Sequence, residues 1–157
     1  MFYKVLVILH LIGAATWLGG HIVLVRVILP AALRQRDPKP VLDFERAYAR
    51  VALPALLVQA VTGLWLATRW LGGWGNILDF SVPAALPVLL KLALLGAIVA
   101  HAGYAYHRIL PRLNTLEGPL ADPVKPLRSF ALHAWSTTVL SVLLLLVGAS
   151  IRLGGVL

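Results

Sequence analysis

The chain has 157 residues, 60% of them hydrophobic and only 13% charged, with a mean hydropathy of +0.87. Soluble domains run at about 45–50% apolar and about 25% charged, so a soluble globular domain is excluded, and disorder needs far lower hydrophobicity. The formal charge of +8, from 14 Lys+Arg against 6 Asp+Glu, does not make a nucleic-acid module, because those carry their charge on a polar surface.

What remains is a small integral membrane protein. Cysteine is absent and the single methionine is Met1. A disulfide framework, a thiolate metal site and an iron–sulfur cluster are therefore ruled out.

A helix that spans a bilayer needs about 20 mostly apolar residues. The first candidate covers about 3–29 and is expected to stop at Pro30. It is too long for a signal-peptide core and lacks a persuasive cleavage site, so it reads as a retained span. The second covers about 45–70, with Pro54 as an expected kink. The third covers about 84–109 and closes at Pro111, and the fourth covers about 127–152, just after Pro126. The expectation is an all-α, antiparallel four-helix membrane bundle in one domain, 1–157. No internal repeat stands out.

Residues 30–44 and 110–126 are rich in proline and charge, whereas 71–83 is glycine-rich and nearly uncharged. With four alternating spans the two charged loops share one side of the membrane. That side holds Arg26, Arg34, Arg36, Lys39, Arg46, Arg50, Arg108, Arg112, Lys125 and Arg128, against Lys4, Arg69 and Arg152 on the other. The positive-inside rule places the charged loops in the cytoplasm and both termini outside, in a bacterial-type inner membrane. Phe2, Tyr3, Trp70 and Trp74 then belt the outer interface, with Tyr48, Tyr104 and Tyr106 at the inner one.

Polar groups inside a bilayer are costly, and each is a functional candidate until a structural role accounts for it. The spans hold His10, His21, Gln59, Thr62, Lys91, His101, His133, Thr137 and Ser141. His10 and His21 lie on one face of the first span, about 16 Å apart in depth, with Trp17 between them. Counting depth along alternating helices puts His21, His101 and His133 together in the inner half. It puts His10 level with Lys91 in the outer half. Gln59, Thr62, Thr137 and Ser141 also read as hydrogen-bonding glue between helices, and Lys91 as a snorkelling side chain.

Histidines on facing helices of a bundle hold metals and cofactors, and neutral imidazole suits haem iron, zinc and Cu(II). A b-type haem needs one or two axial histidines, an apolar slot and cations for its propionates. Arg26, Arg50 and Arg108 are candidates for the last role. A hydrolytic zinc site is weak, with no H-E-x-x-H and no carboxylate inside a span. A Cu(I) path would want soft Met or Cys ligands, which the spans lack.

His10 followed by Trp17-Leu18-Gly19-Gly20 resembles the opening of the CopD copper-resistance family, which the HemJ-type protoporphyrinogen oxidases share. Phe44-Glu45-Arg46, Arg50, Pro54, Thr62-Gly63 and Trp65, then Lys91-Leu92 with His101, continue the resemblance along the chain. It implies a four-helix membrane protein. For HemJ-like members it implies b-type haem on His10; for CopD-like members it implies copper handling, often beside a periplasmic copper-binding partner. His21 and His133 depart from the HemJ-like pattern.

The leading expectation is a b-haem protein for membrane electron transfer. Its inner ligands would be His21 with His101 or His133, and His10 with Lys91 would form a second position. The alternatives are a copper-handling protein without haem and a HemJ-like oxidase. A quinone or a periplasmic redox partner, and a homo-oligomer, are compatible with these readings; nucleic acid is not.

Overall fold

The computed structural model describes residues 1–115 and 122–152. Part of the second charged loop, 116–121, and the Arg152 side chain lie outside the described residues. Four long helices carry the chain: α1 (Phe2–Gln35), α2 (Lys39–Leu71), α3 (Ala85–Asn114) and α4 (Val124–Arg152). Each is long and apolar enough to cross a membrane. The protein is an all-helical, multi-pass membrane protein.

Two expected boundaries move. The helices do not stop at Pro30 and Pro111 but run through them. In each case a five-residue π-helical segment stands just before the proline, Leu24–Ile28 in α1 and Ala105–Ile109 in α3. A proline has no N–H to donate, and its ring presses on the carbonyl four residues back. A π turn is wider and bonds five residues apart, so it absorbs both faults. Pro54 is likewise carried inside α2.

Real ends come later and have their own chemistry. α1 is closed by Arg36 in the left-handed conformation (φ 52°) and by the Asp37 N–H donating to the Ala32 carbonyl at 3.1 Å. α2 is closed by Gly72 at φ 68°, where the absence of a Cβ removes the strain. In the short loop that follows, the Ser81 backbone N–H and hydroxyl both donate to Asp79, at 3.0 and 2.6 Å. These bonds hold the Asp79 carboxyl below its ordinary range.

The structure also corrects the absence of a repeat. The interval that carries the α1 π turn onto the α3 π turn carries Ile28-Leu29-Pro30 onto Ile109-Leu110-Pro111. Between α2 and α4, Lys39-Pro40 and Phe44 fall on Lys125-Pro126 and Phe130. Asp37 and Asp122 play one part as well, each accepting from the backbone N–H two residues on, at 2.9 and 3.1 Å. The chain is thus two successive helical hairpins built to one plan. Hairpins running in the same direction are related by an axis along the membrane normal.

The packing follows that plan. α1 lies along α2 and α3 along α4, and α1 also meets α4. Ala67 and Leu71 of α2 cluster with Ala85 and Val88 of α3, which closes the ring and leaves α1 and α3 diagonal. At the inner end the equivalent positions of the two hairpins form one core, with Ala32 and Leu113, Val41 and Leu127, and Phe44 and Phe130 packed together.

Glycine sets how closely α1 approaches α2. A Cβ on Gly13 would stand 2.9 Å from the Ala55 carbonyl oxygen and 3.1 Å from Gln59 Cβ. One on Gly20 would run into the Tyr48 ring. Gly13→Ala is therefore expected to cost about 1–3 kcal/mol, as overpacking does. Gly96→Ala, which meets nothing within 4 Å in mid-helix, is expected to keep or slightly raise the thermal unfolding temperature in detergent.

Candidate functional site

The two hairpins fill the inner half of the bundle but leave a cavity of about 260 Å³ in the outer half, lined by all four helices. Its walls are mostly apolar. Its lining follows the repeat: Val7 and Val88, Leu11 and Leu92, Ala14 and Leu95, and Gly63 and Ala149 are equivalent positions, and all border it. His10 and Lys91, the pair expected from depth alone, are equivalent too, and both face this space. The cavity therefore lies where the two hairpins meet.

His10 is held in one orientation. Its Nδ1 donates to the Gln59 carbonyl at 2.9 Å and lies 3.1 Å from Thr62 Oγ1, whose hydroxyl in turn donates to the Val58 carbonyl at 2.6 Å. A carbonyl can only accept, so Nδ1 carries the proton and Nε2 is the basic nitrogen of the neutral ring. Metal-ligating histidines are commonly fixed through their other ring nitrogen in this way. The ring lies against Gly63, where a Cβ would stand 2.9 Å from His10 Cε1. Across the bundle, the Lys91 ammonium rests at Gly148, where a Cβ would stand 3.0 Å from Nζ. Gly148 occupies in α4 the place that Thr62 holds in α2.

Trp17 forms the floor of the cavity. It is buried, and its indole N–H donates to Ser141 Oγ at 3.0 Å, which ties α1 to α4. Beneath it the His21 ring stands 4.6 Å from the Trp17 ring. His21 Nδ1 donates to the Trp17 carbonyl at 2.9 Å, and Tyr48 Oη donates to the same carbonyl at 2.6 Å.

The three inner histidines do not form the single cluster that their depth suggests. His101 and His133 stack with centroids 4.7 Å apart, and His133 Nε2 donates to the His101 carbonyl at 2.7 Å. His101 Nδ1 donates to the Ala97 carbonyl at 3.2 Å. His21 belongs instead to the α1–α2 side with Trp17 and Tyr48. Fully buried Ile98 and its neighbour Ala102 pack into the interior with Trp17 and Ala52. Each imidazole has found a backbone carbonyl of its own. Among the described residues, no group of three or more His, Asp or Glu side chains gathers as a metal site.

Arg26 and Arg50 are exposed and lie away from the cavity. His107 is exposed beside Tyr106, as an interfacial residue would be. Sequence reasoning named Gly63 only within the resemblance and Tyr48 only as an interfacial aromatic, and it missed Gly148. The two glycines were findable had the repeat been seen, since they stand beside the equivalent residues His10 and Lys91.

A family model described as copper resistance protein D matches residues 42–151. The chain belongs to this family. The match takes in α2, α3 and nearly all of α4, with Lys91, His101 and His133, while His10 and Trp17 precede it. Neither the curated proteins nor the solved structures contain a match.

The seat of His10 can be tested by coupling. Gly63→Ala is expected to cost about 1–3 kcal/mol because it presses on a ring that is tied down. In a His10→Ala background most of that cost should vanish. A double-mutant cycle on thermal unfolding measures the difference.

Proposed function

We propose that this member of the copper resistance protein D family binds b-type haem through His10 and serves membrane electron transfer in a bacterial-type cytoplasmic membrane. One observation carries the reading. A single imidazole, its Nδ1 committed to the Gln59 carbonyl, faces an apolar cavity inside a membrane bundle. A lone histidine holds a bare metal ion poorly, but one axial histidine suffices for haem because the porphyrin brings the equatorial ligands itself.

The residues around His10 fit the group. The walls are apolar, the Lys91 ammonium faces the same space, and Trp17 closes the floor. At about 260 Å³ the cavity is smaller than typical small-molecule pockets, which run from about 300 to 1,000 Å³. Its lining includes Leu11, Leu64 and Leu145, which are themselves exposed, so the site is not capped by a closed protein wall. Haem bound there would supply one-electron transfer. The protein's part is to fix the imidazole, keep water out and hold a cation nearby. This moves the haem from the inner histidines to the outer half, where the space is.

The second reading is copper handling without haem. The family description favours it, as does the His101–His133 pair, since imidazole suits Cu(II). Both readings can be judged on one purified sample. The haem reading expects a Soret band, iron near one per chain, and loss of both in His10→Ala while His133→Ala keeps them. Absence of the band after haem supplementation, with copper bound in place of iron, would overturn it in favour of the second.

A further inference from the structure

His101 and His133 stand apart from the cavity, and neither borders it. Both are only partly buried, so the pair opens to the outside of the bundle between α3 and α4. The exposed Tyr104 ring lies beside it, its centroid 5.8 Å from that of His133. The bonds the two rings make fix their tautomers. His101 Nδ1 meets the Ala97 carbonyl and His133 Nε2 meets the His101 carbonyl. A carbonyl only accepts, so in the neutral rings His101 Nε2 and His133 Nδ1 carry a lone pair and no proton. Neither of these two nitrogens has a hydrogen-bond partner among the described residues.

Packing does not ask for this pair. In the first hairpin the equivalent positions are Gly20 and Ala47, and α1 and α2 close without a polar side chain at either. An acceptor left to hydrocarbon is costly unless a donor meets it. A shared metal ion does not suit the rings as they stand. An imidazole lone pair lies in its ring plane, and these rings are stacked, with planes 19° apart and centroids 4.7 Å apart. Planes so nearly parallel converge far beyond the reach of a metal–imidazole bond of about 2 Å. One ring would have to turn and give up its carbonyl.

We propose that His101 and His133 form a binding site for a lipid-borne hydroquinone. Such a molecule reaches the pair from the bilayer, its hydroxyls donate to the bare nitrogens, and its flat ring lies beside Tyr104. The site distinguishes oxidation states. A quinone carries carbonyls in place of hydroxyls, and rings whose N–H groups are already committed to backbone carbonyls have nothing to donate to them. The inference needs neither haem nor His10, so it stands or falls apart from the haem reading.

Decylubiquinol, held reduced, and decylubiquinone are the probes. They are titrated by calorimetry into the purified protein in phosphatidylcholine nanodiscs, a lipid whose headgroup has no hydroxyl. The quinol should bind saturably, near one per chain, and the quinone about tenfold or more weaker, the worth of the lost hydrogen bonds. His101→Phe keeps a stacked ring and removes a basic nitrogen. It should weaken quinol binding about tenfold with the melting curve intact, and His133→Ala should weaken it as well.

Equal affinity of the wild type for the two oxidation states would overturn the inference, and so would a folded His101→Phe protein that binds the quinol like the wild type. Loss of quinol binding on adding phosphatidylglycerol would assign the pair to a phospholipid headgroup instead. Stoichiometric Cu(II) binding that both variants abolish, with no quinol bound, would assign it to copper. A Soret spectrum on the same sample judges the haem reading separately.

Discussion

Hydrocarbon offers no hydrogen bonds, so every polar atom that the chain carries into the bilayer has to be answered from within the bundle. Among the described residues, no buried side-chain nitrogen or oxygen lacks a partner. The answers are mostly carbonyls. Thr62, Thr137, Thr138 and Ser141 donate back one turn along their own helices. His21 and His101 do the same, while His10, Tyr48 and His133 reach across to the neighbouring helix. This constraint separates the histidines. One tied to its own helix one turn back, like His21 or His101, is directed by that helix. Among the described residues, His10 is the histidine that is anchored on a neighbouring helix and also lines the cavity.

The same constraint accounts for where the space lies. At the inner end, Val41 and Leu127, Ala32 and Leu113, and the two phenylalanines pack into one core. The π turns before Pro30 and Pro111 keep α1 and α3 helical down to that core, so both hairpins reach it intact. Toward the outer end two matched positions carry a glycine in one hairpin, Gly63 against Ala149 and Gly148 against Thr62. The hairpins share too little side-chain volume to meet there.

Much of this was legible in the sequence, and the limits have physical causes. Four apolar runs of about bilayer length fix a four-span bundle without further information. Counting 1.5 Å per residue gives depth, and it set His10 level with Lys91; both line one cavity. Depth says nothing about which way around the bundle a side chain points. For that reason His21, level with His101 and His133, was expected beside them and belongs to another side. The prolines misled because a π turn leaves no mark in composition, and it alone decides whether Pro30 ends a helix or sits inside one. The repeat was hidden because its surviving strings are short, Ile-Leu-Pro and Lys-Pro with a phenylalanine. The spacing between the two hairpins also changes at the charged loops, so no single offset aligns the whole chain.

Once the repeat is visible, its departures say more than its agreements. His10 and Lys91 are not similar, and their supports differ with them, a threonine hydroxyl beside the imidazole and a glycine notch beside the ammonium. Had Lys91 been a stray cation reaching for the interface, nothing would require the facing residue of α4 to lack a side chain. Trp17 and Ile98 differ in the same sense. The indole crosses to Ser141 beneath the cavity, while the equivalent isoleucine fills the interior beside it. The unlike pairs His10 and Lys91, Thr62 and Gly148, and Trp17 and Ile98 each put at least one residue on the cavity wall. That pattern gives the cavity two unlike ends, an imidazole on one wall and an ammonium on the other.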